Sequence, residues 1–333
     1  MKNNNNYKIG NGFPPYIIAE AGINHNGDIK TAIKMLEEAS KIGVSAIKFQ
    51  TYKSDLFISP ESEYFNLFKK CELSEDNIKK LVDRARELNL NIFSAVFDFE
   101  SANLWNKFGC PFYKIASGDI THHALINHVA KFGKPIIIST GGSNLLEVSN
   151  TIKVIKESNS EVDISILHCV SNYPTKIESV NMSTITLLKE EFNLTVGFSD
   201  HTIGNIAAIS AISLGASIIE KHFTLDNNME GPDHILSMDK KDFKQFIIDL
   251  NNAYKSYGIP QTNAIENKNV ITAIRRSIIA SKNIKKGELL TLENIVFRRP
   301  AIGIPADRVK DVIGKKVISD IGINNFITWE DIE

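Results

Sequence analysis

The chain has 333 residues, of which 43% are hydrophobic, and its formal net charge is −1. It can therefore bury a full core, and it lacks the charge excess of proteins that bind nucleic acid or membrane surfaces in general. No apolar stretch reaches about 18 residues, and the polar start has no apolar run typical of a signal peptide. The three cysteines are isolated, without CxxC spacing, which indicates a reducing compartment. We expect a cytoplasmic protein without nucleic-acid or membrane partners.

Short apolar segments alternate with amphipathic segments from residue 16 onward, and they predict strands and helices in turn. The predicted strands are residues 16–21, 46–50, 91–96, 112–117, 135–140, 164–170, 195–199 and 217–221. The predicted helices are residues 29–42, 74–88, 100–108, 122–132, 144–158, 183–192, 204–214 and 239–257. Ser74 and Thr121 are the predicted capping residues at two of these helix starts.

This order of elements predicts a (β/α)8 TIM barrel over residues 1–257. A doubly wound sheet is the alternative, but no GxGxxG follows the first strand. Residues 51–71 form an insertion after the second strand, either a lid or a loop packed on the barrel. The turn-rich residues 258–272 predict a linker. Residues 273–333 predict a small β-rich domain with β-prone segments at 277–280, 294–297 and 316–318.

Polar side chains concentrate where the predicted strands end, which is the face that carries function in TIM barrels. His201 and His222 follow neighbouring strands, so we expect them to face each other at one rim as a two-nitrogen metal site. The other polar residues that we predict for the site at this rim are Glu20, Gln50, Ser117, Asp119, Ser139, Ser171, Tyr173 and Ser199.

Two lysines, Lys48 and Lys114, lie within predicted buried strands. Lysine is almost never buried without a partner, so each requires an anion. That anion is either the phosphate or carboxylate of a ligand, or a protein carboxylate such as Glu20 or Glu220. A third hypothesis is a Schiff-base aldolase that uses one of these lysines as its nucleophile.

Several motifs resemble the sialic acid synthase (N-acetylneuraminate synthase) family, in the same order and along nearly the whole chain. In the predicted barrel they are residues 18–27 (IAEAGINHNG), 47–51 (IKFQT), 113–118 (YKIASG), 139–141 (STG), 199–202 (SDHT), 220–224 (EKHFT) and 231–233 (GPD). Residues 276–277 (RS), 284–288 (IKKGE) and 298–300 (RRP) look like the antifreeze-like (SAF) domain of that family. The resemblance implies a metal-dependent transferase that condenses phosphoenolpyruvate with an N-acylated hexosamine such as N-acetylmannosamine.

The resemblance also implies roles for individual residues. His201 and His222 would hold Mn²⁺ or Mg²⁺, and Glu20 would act as acid/base or orient the attacking water. The residues implied for phosphoenolpyruvate are Lys48, Lys114, Ser117, Ser139 and Ser199. The residues implied for the sugar side are Gln50, Asp119, Tyr173, Asp233 and Arg299. Arg299 would reach from the small domain into the partner's barrel, which implies a domain-swapped homodimer.

The chain departs from the family pattern at two places on the sugar side. Asp119 stands where many members have glutamate, and residues 94–97 (SAVF) replace a common Ser/Thr-Pro-Phe pattern. The GPD pattern at residues 231–233 makes the pseudaminic branch less similar. The nearest alternative function is therefore an N,N'-diacetyllegionaminic acid synthase. Alternatives of other classes are the Schiff-base aldolase and a non-enzymatic binding protein that uses the antifreeze-like domain.

Overall fold

The chain folds into two compact units, Met1–Gly258 and Ile259–Glu333. The computed structural model describes residues 8–10, 12–258 and 261–333. Positions 1–7, 11, 259 and 260 of the predicted domain and linker ranges lie outside the described residues. Within the described ranges, no helix combines the length and the apolar character needed to cross a membrane.

The described part of the first unit contains a closed barrel of eight parallel strands in sequential order, which confirms the predicted TIM barrel. The strands are β1 (Tyr16–Gly22), β2 (Ala46–Thr51), β3 (Asn91–Val96), β4 (Tyr113–Ile115), β5 (Ile136–Ser139), β6 (Ile164–Cys169), β7 (Thr195–Asp200) and β8 (Ile218–His222). They are short and almost wholly buried because helices cover one face and barrel side chains fill the other.

Helices follow the strands where the amphipathic patterns predict them, and two further short helices lie in the insertion after β2, where no helix was predicted. They are α1 (Ile29–Ile42), α2 (Ser54–Phe57), α3 (Phe65–Cys71), α4 (Glu75–Glu87), α5 (Phe99–Phe108), α6 (His123–Ala130), α7 (Leu145–Ser158), α8 (Thr184–Phe192), α9 (Ile206–Ser213) and α10 (Lys240–Tyr257). Local signals set several boundaries. The Asp28 side chain accepts two backbone N–H groups at the start of α1, and Gly43 ends that helix in the left-handed region, at φ 84°.

Close packing between β7 and β8 fixes the edge that carries the two histidines. A Cβ on Gly197 would lie 2.4 Å from the Ile218 carbonyl oxygen, so only glycine allows this approach. The register pairs Ser199 with Glu220 and Asp200 with Lys221. His201 and His222 follow directly after this second pair.

The insertion after β2 is packed on the barrel, so the packed alternative is the one observed. Its helices α2 and α3 contribute Phe57 and Phe68 to an aromatic cluster with Tyr52 and Phe97. Ring centroids in this cluster are separated by 4.6–6.0 Å, the usual range for aromatic contacts.

The second unit has a small core of its own. It contains α11 (Lys268–Ile274), the antiparallel pair β9 (Ser277–Ala280) and β10 (Ile295–Arg298), and α12 (Val309–Val312). Helix α11 begins within the predicted linker, where the Asn267 side chain caps the Val270 N–H. Residues 316–318, predicted as a strand, form isolated bridges in this described region instead, because Lys316 and Val317 pair with two different segments.

Candidate active site

The strand ends of the barrel surround a cavity of about 580 Å³. Its lining includes most of the residues that the sequence predicts for the site. These are Glu20, Lys48, Gln50, Lys114, Ser117, Ser139, Ser171, Tyr173, Ser199, His201 and His222. The periodicity of parallel strands explains this convergence, since alternate side chains point inward and all eight strands end at the same rim.

Two acids and two lysines meet at the base of this cavity, and we call Glu20, Lys48, Lys114 and Glu220 the cavity cluster. The Lys48 ammonium lies 2.8 Å from Glu220 Oε2 and 3.4 Å from Glu20 Oε2. Lys114 Nζ lies 3.7 Å from Glu220 Oε1 and donates a 2.6 Å hydrogen bond to Ser139 Oγ. The buried lysines therefore have the protein carboxylates Glu20 and Glu220 as partners, and both lysines also line the cavity.

The cavity cluster shifts the pKa of each of its members. Burial raises the pKa of Glu20 to about 7, although the Lys48 ammonium opposes the shift. Burial lowers the pKa of Lys114 to about 8. Burial also disfavours the charged forms of Glu220 and Lys48, but their opposite-charge neighbours prevail, holding the pKa of Glu220 low and that of Lys48 high. The cluster thus holds a carboxyl group that can exchange a proton near neutral pH.

Hydroxyl groups and a close backbone segment line the wall next to Lys114. Ser117 Oγ accepts a 3.1 Å hydrogen bond from the Gly141 N–H. A Cβ at position 141 would lie 2.2 Å from Ser171 Oγ and 2.8 Å from Ser117 Oγ. Glycine is therefore required here to keep the serine hydroxyls around an open space, which is the kind of surface that receives a phosphate or carboxylate.

His201 and His222 face each other beside the cavity cluster, with ring centroids 5.4 Å apart. His201 Nδ1 donates a 2.8 Å hydrogen bond to the Val170 carbonyl, which directs the lone pair to Nε2. His222 Nδ1 is buried and finds no hydrogen-bond partner among the described residues; Asp233 Oδ2 lies 3.8 Å away. The Tyr173 ring covers His201 at a centroid distance of 4.1 Å.

These two imidazoles present ring nitrogens that a metal ion could take as two of its ligands. Burial holds the pKa of His222 well below its usual range, so its ring is neutral, as a ligand must be. In the described parts of the chain, no group of three or more His, Cys, Asp or Glu side chains is arranged to hold a metal.

Three predicted residues lie outside the described cavity lining. β4 ends at Ile115, and a 3₁₀ helix (Ser117–Asp119) follows it, where burial raises the pKa of Asp119 to about 6. Asp233 lies beside His222, and the exposed Arg299 belongs to the second unit. The sugar contacts of these residues stay predictions.

The structure also adds residues that the sequence did not assign to the site. Glu220 was named as a possible partner for a buried lysine but was not assigned to the site, yet it lies beside both lysines. Phe57, Phe68 and Phe97 form an apolar wall of the cavity. The aromatic content of the insertion was a usable signal for this wall, but sequence spacing alone does not show which rings face the cavity.

Comparison with known proteins decides the family. The NeuB family profile matches residues 18–262, and the SAF domain profile matches residues 275–333. The chain belongs to the NeuB family. This result confirms the resemblance that the motifs indicated, including the C-terminal SAF domain.

Alignments with individual relatives cover 77% to 97% of this NeuB-family chain. An uncharacterized protein of Methanocaldococcus jannaschii is 44% identical over 328 residues, which cover 97% of this chain and 96% of that protein. The N,N'-diacetyllegionaminic acid synthase of Campylobacter jejuni is 38% identical and covers 90% and 94%, respectively. A crystal structure of N-acetylneuraminic acid (sialic acid) synthetase from Leptospira borgpetersenii, in complex with citrate, has 33% identity and a TM-score of 0.74. Their alignment covers 77% of this chain and 89% of that one.

Proposed function

We propose that this chain condenses phosphoenolpyruvate with an N-acylated hexosamine, N-acetylmannosamine or a close relative, to give a nine-carbon 2-keto sugar acid and phosphate. The observation that carries the proposal is the meeting of two buried lysines, two buried carboxylates and two histidines in one cavity. A volume of about 580 Å³ suits small-molecule reactants, whose sites span roughly 300–1,000 Å³. Membership of the NeuB family and the name of the Leptospira relative support the same reaction.

The lysine and serine side of the cavity suits phosphoenolpyruvate, which carries a phosphate and a carboxylate. Lys48 and Lys114 supply the cations, and the hydroxyls of Ser117, Ser139 and Ser199 supply neutral donors. When Glu20 is protonated, the cavity cluster holds two positive charges and one negative charge. Its net positive charge then favours an anionic ligand over the empty cavity.

We further propose that His201 and His222 hold a divalent metal, Mn²⁺ or Mg²⁺. The Val170 carbonyl orients His201, and the buried His222 Nδ1 is available for a partner. When bound, the metal supplies Lewis-acid polarisation of the aldehyde oxygen of the sugar.

Glu20 is the proposed acid/base. A bond forms between C3 of phosphoenolpyruvate and the aldehyde carbon, whose oxygen takes up a proton. Water adds to C2 and gives up one proton. The C2–O bond to the phosphate then breaks as the remaining hydroxyl proton passes to the departing phosphate, and a ketone is left. A carboxyl group with a pKa of about 7 can accept the water proton and return it near neutral pH.

The remaining residues are proposed for the sugar and for assembly. The proposed sugar contacts are Gln50, Ser171, Tyr173, Asp119 and Asp233. Arg299 is proposed to contact the N-acyl group from the partner copy in a domain-swapped homodimer. We propose the cytoplasm as the site of action, where phosphoenolpyruvate is available.

A second candidate function is N,N'-diacetyllegionaminic acid synthesis, and two observations favour it. The Campylobacter relative of that name is 38% identical to this chain. The wall of Phe57, Phe68 and Phe97 gives one side of the cavity an apolar surface. A 2,4-diacetamido sugar carries a second acetamido group in place of a hydroxyl group, and such a wall would favour the methyl of that acetamido group.

Phosphate release from phosphoenolpyruvate tests the proposal and separates its candidates. The purified protein is assayed with Mn²⁺ or Mg²⁺ and with N-acetylmannosamine, a 2,4-diacetamido sugar or no acceptor. We expect acceptor-dependent release, and the acceptor with the higher kcat/KM identifies the function. Failure of every N-acylhexosamine would overturn the enzymatic proposal in favour of a binding protein. Borohydride trapping of pyruvate on Lys48 or Lys114 would instead indicate a Schiff-base aldolase.

A further inference from the structure

A second buried ion pair lies behind the histidines, and we call Asp200 and Lys221 the back pair. Lys221 Nζ lies 2.8 Å from Asp200 Oδ2, and the two side chains are 1% and 0% exposed, respectively. Lys221 also donates a hydrogen bond to the Thr202 carbonyl oxygen. Asp200 Oδ1 accepts a 2.8 Å hydrogen bond from the Thr202 N–H. The back pair thus holds both the residue before His201 and the residue after it.

The register of β7 and β8 places the back pair directly before the two histidines. Ser199 pairs with Glu220 and bonds to it at 2.8 Å on the cavity side. One residue further, Asp200 pairs with Lys221, and side-chain alternation directs this pair to the opposite face. The next positions are His201 and His222, which line the cavity again. Two polar cross-strand bonds, one on each face, therefore hold the two strands just before the histidines.

Stability alone does not explain why this position carries charges. A buried ion pair loses the hydration of both groups, and well-packed apolar residues of similar size often stabilise a fold equally well. A polar pair has a further property, because it is satisfied in one register and one strand spacing. A slip of β8 against β7 by one residue would separate Lys221 from both of its partners and turn His222 away from the cavity.

We propose that Asp200 and Lys221 are positioning residues that set the separation and orientation of the His201 and His222 imidazoles for metal binding. Neither side chain is part of the described cavity lining, so the pair acts through the backbone rather than by touching substrate. The inference rests on the proposed metal role of the two histidines. It assigns a function to the most deeply buried lysine–aspartate pair among the described ion pairs.

Mn²⁺ affinity, measured by isothermal titration calorimetry without substrates, tests this inference. Lys221→Met removes the cation but keeps the length of the side chain, and it leaves Asp200 buried without its partner. The double variant D200N/K221M removes both charges, so it stays informative if the single variant folds poorly. Leu36→Ala is the matched control, because it destabilises the barrel core at a buried position of α1. Circular dichroism first establishes that each variant is folded at the titration temperature.

We expect the Lys221→Met and D200N/K221M variants to bind Mn²⁺ about 10- to 100-fold more weakly than the wild type, as for other groups that orient metal ligands. The Leu36→Ala control should stay within about twofold of the wild type. Wild-type affinity in either folded back-pair variant would overturn the inference while leaving the proposed function intact. If the wild type itself binds no Mn²⁺, the inference and the metal role both fail. Acceptor-dependent phosphate release under EDTA would then show that the condensation stands without them.

Discussion

The cavity cluster and the back pair are both buried ionic groups at the same edge of the barrel, yet they differ in whether each lysine has a carboxylate of its own. In the back pair, one lysine has one carboxylate at 2.8 Å, and backbone groups of Thr202 complete the contacts. In the cavity cluster, two lysines share two carboxylates at 2.8–3.7 Å, and the pKa of Glu20 rises to about 7. The single pair suits a fixed framework, whereas the cluster, in which the lysines and carboxylates are shared, suits an exchangeable ligand and an exchangeable proton.

Of the variants that distinguish the two ionic groups, Lys48→Met should have the largest effect on activity. The variant removes the cation that Glu20 and Glu220 share, so the two carboxylates lose their common partner. We expect kcat/KM for phosphoenolpyruvate to fall by about 10³-fold, because one charged donor of the proposed anion site is lost. Steady-state phosphate release measures this effect.

The back-pair variant Lys221→Met is the matched comparison for Lys48→Met. It should lower the free energy of unfolding by about 3–5 kcal/mol, because it leaves Asp200 buried and uncompensated. Its KM for phosphoenolpyruvate should stay within about twofold of the wild type. Equal effects of the two variants on that KM would mean that the two ionic groups are not functionally distinct.

Glu20→Gln tests the exchangeable proton. The ionised carboxylate is the form that accepts a proton, so protonation below pH 7 should reduce the wild-type rate, with a midpoint near the pKa of about 7. The variant should lose about 10²-fold in kcat and should lack this acidic limb. A pH–rate profile with the limb unchanged in Glu20→Gln would assign the limb to another group.

The contribution of Glu20 to the free energy of unfolding should decrease as the pH rises. The folded-state pKa of Glu20 lies above its ordinary value of 4.5, so folding favours the protonated form. This contribution is fully present below about pH 4.5 and is lost as the pH rises through about 7. Glu20→Gln should therefore gain stability relative to the wild type across this interval, as followed by denaturant unfolding at several pH values.

The barrel and the main site residues could be predicted from sequence because their signals are local. Apolar runs alternate with amphipathic runs, and parallel strands bring their carboxyl ends together, so His201 and His222 were expected at one rim. The pairing of Asp200 with Lys221 could not be predicted, because it depends on the register between two strands. The sequence offered Glu220 as a possible partner of a buried lysine, but its contact with both lysines depends on the closure of the barrel, in which β1 pairs with both β2 and β8. Such contacts are set by tertiary geometry, which periodicity does not specify.

Gly141→Ala alters the cavity wall next to Lys114 without changing any charge. The added Cβ would lie 2.2 Å from Ser171 Oγ and 2.8 Å from Ser117 Oγ, so the hydroxyls must move. We expect the KM for phosphoenolpyruvate to rise about 10-fold, the cost of disturbing one or two hydrogen-bonding groups. Gly118→Ala is the matched control, because a Cβ there meets no described heavy atom within 4 Å. An equal rise in both variants would show that the close approach at Gly141 is unimportant.

Ligand-induced stabilisation is the mildest test, and it compares the two ionic groups by thermal unfolding. Phosphoenolpyruvate at ten times its dissociation constant should stabilise the wild type by about 1.4 kcal/mol. For a barrel of this size, that corresponds to a rise in Tm of roughly 3–6 °C. Lys114→Met should abolish the rise, because the ammonium next to Ser139 is lost. Lys221→Met should unfold at a lower temperature but keep the full rise, since the back pair lies outside the described lining of the cavity. A rise that persists in Lys114→Met and disappears in Lys221→Met would reverse the roles assigned to the two groups.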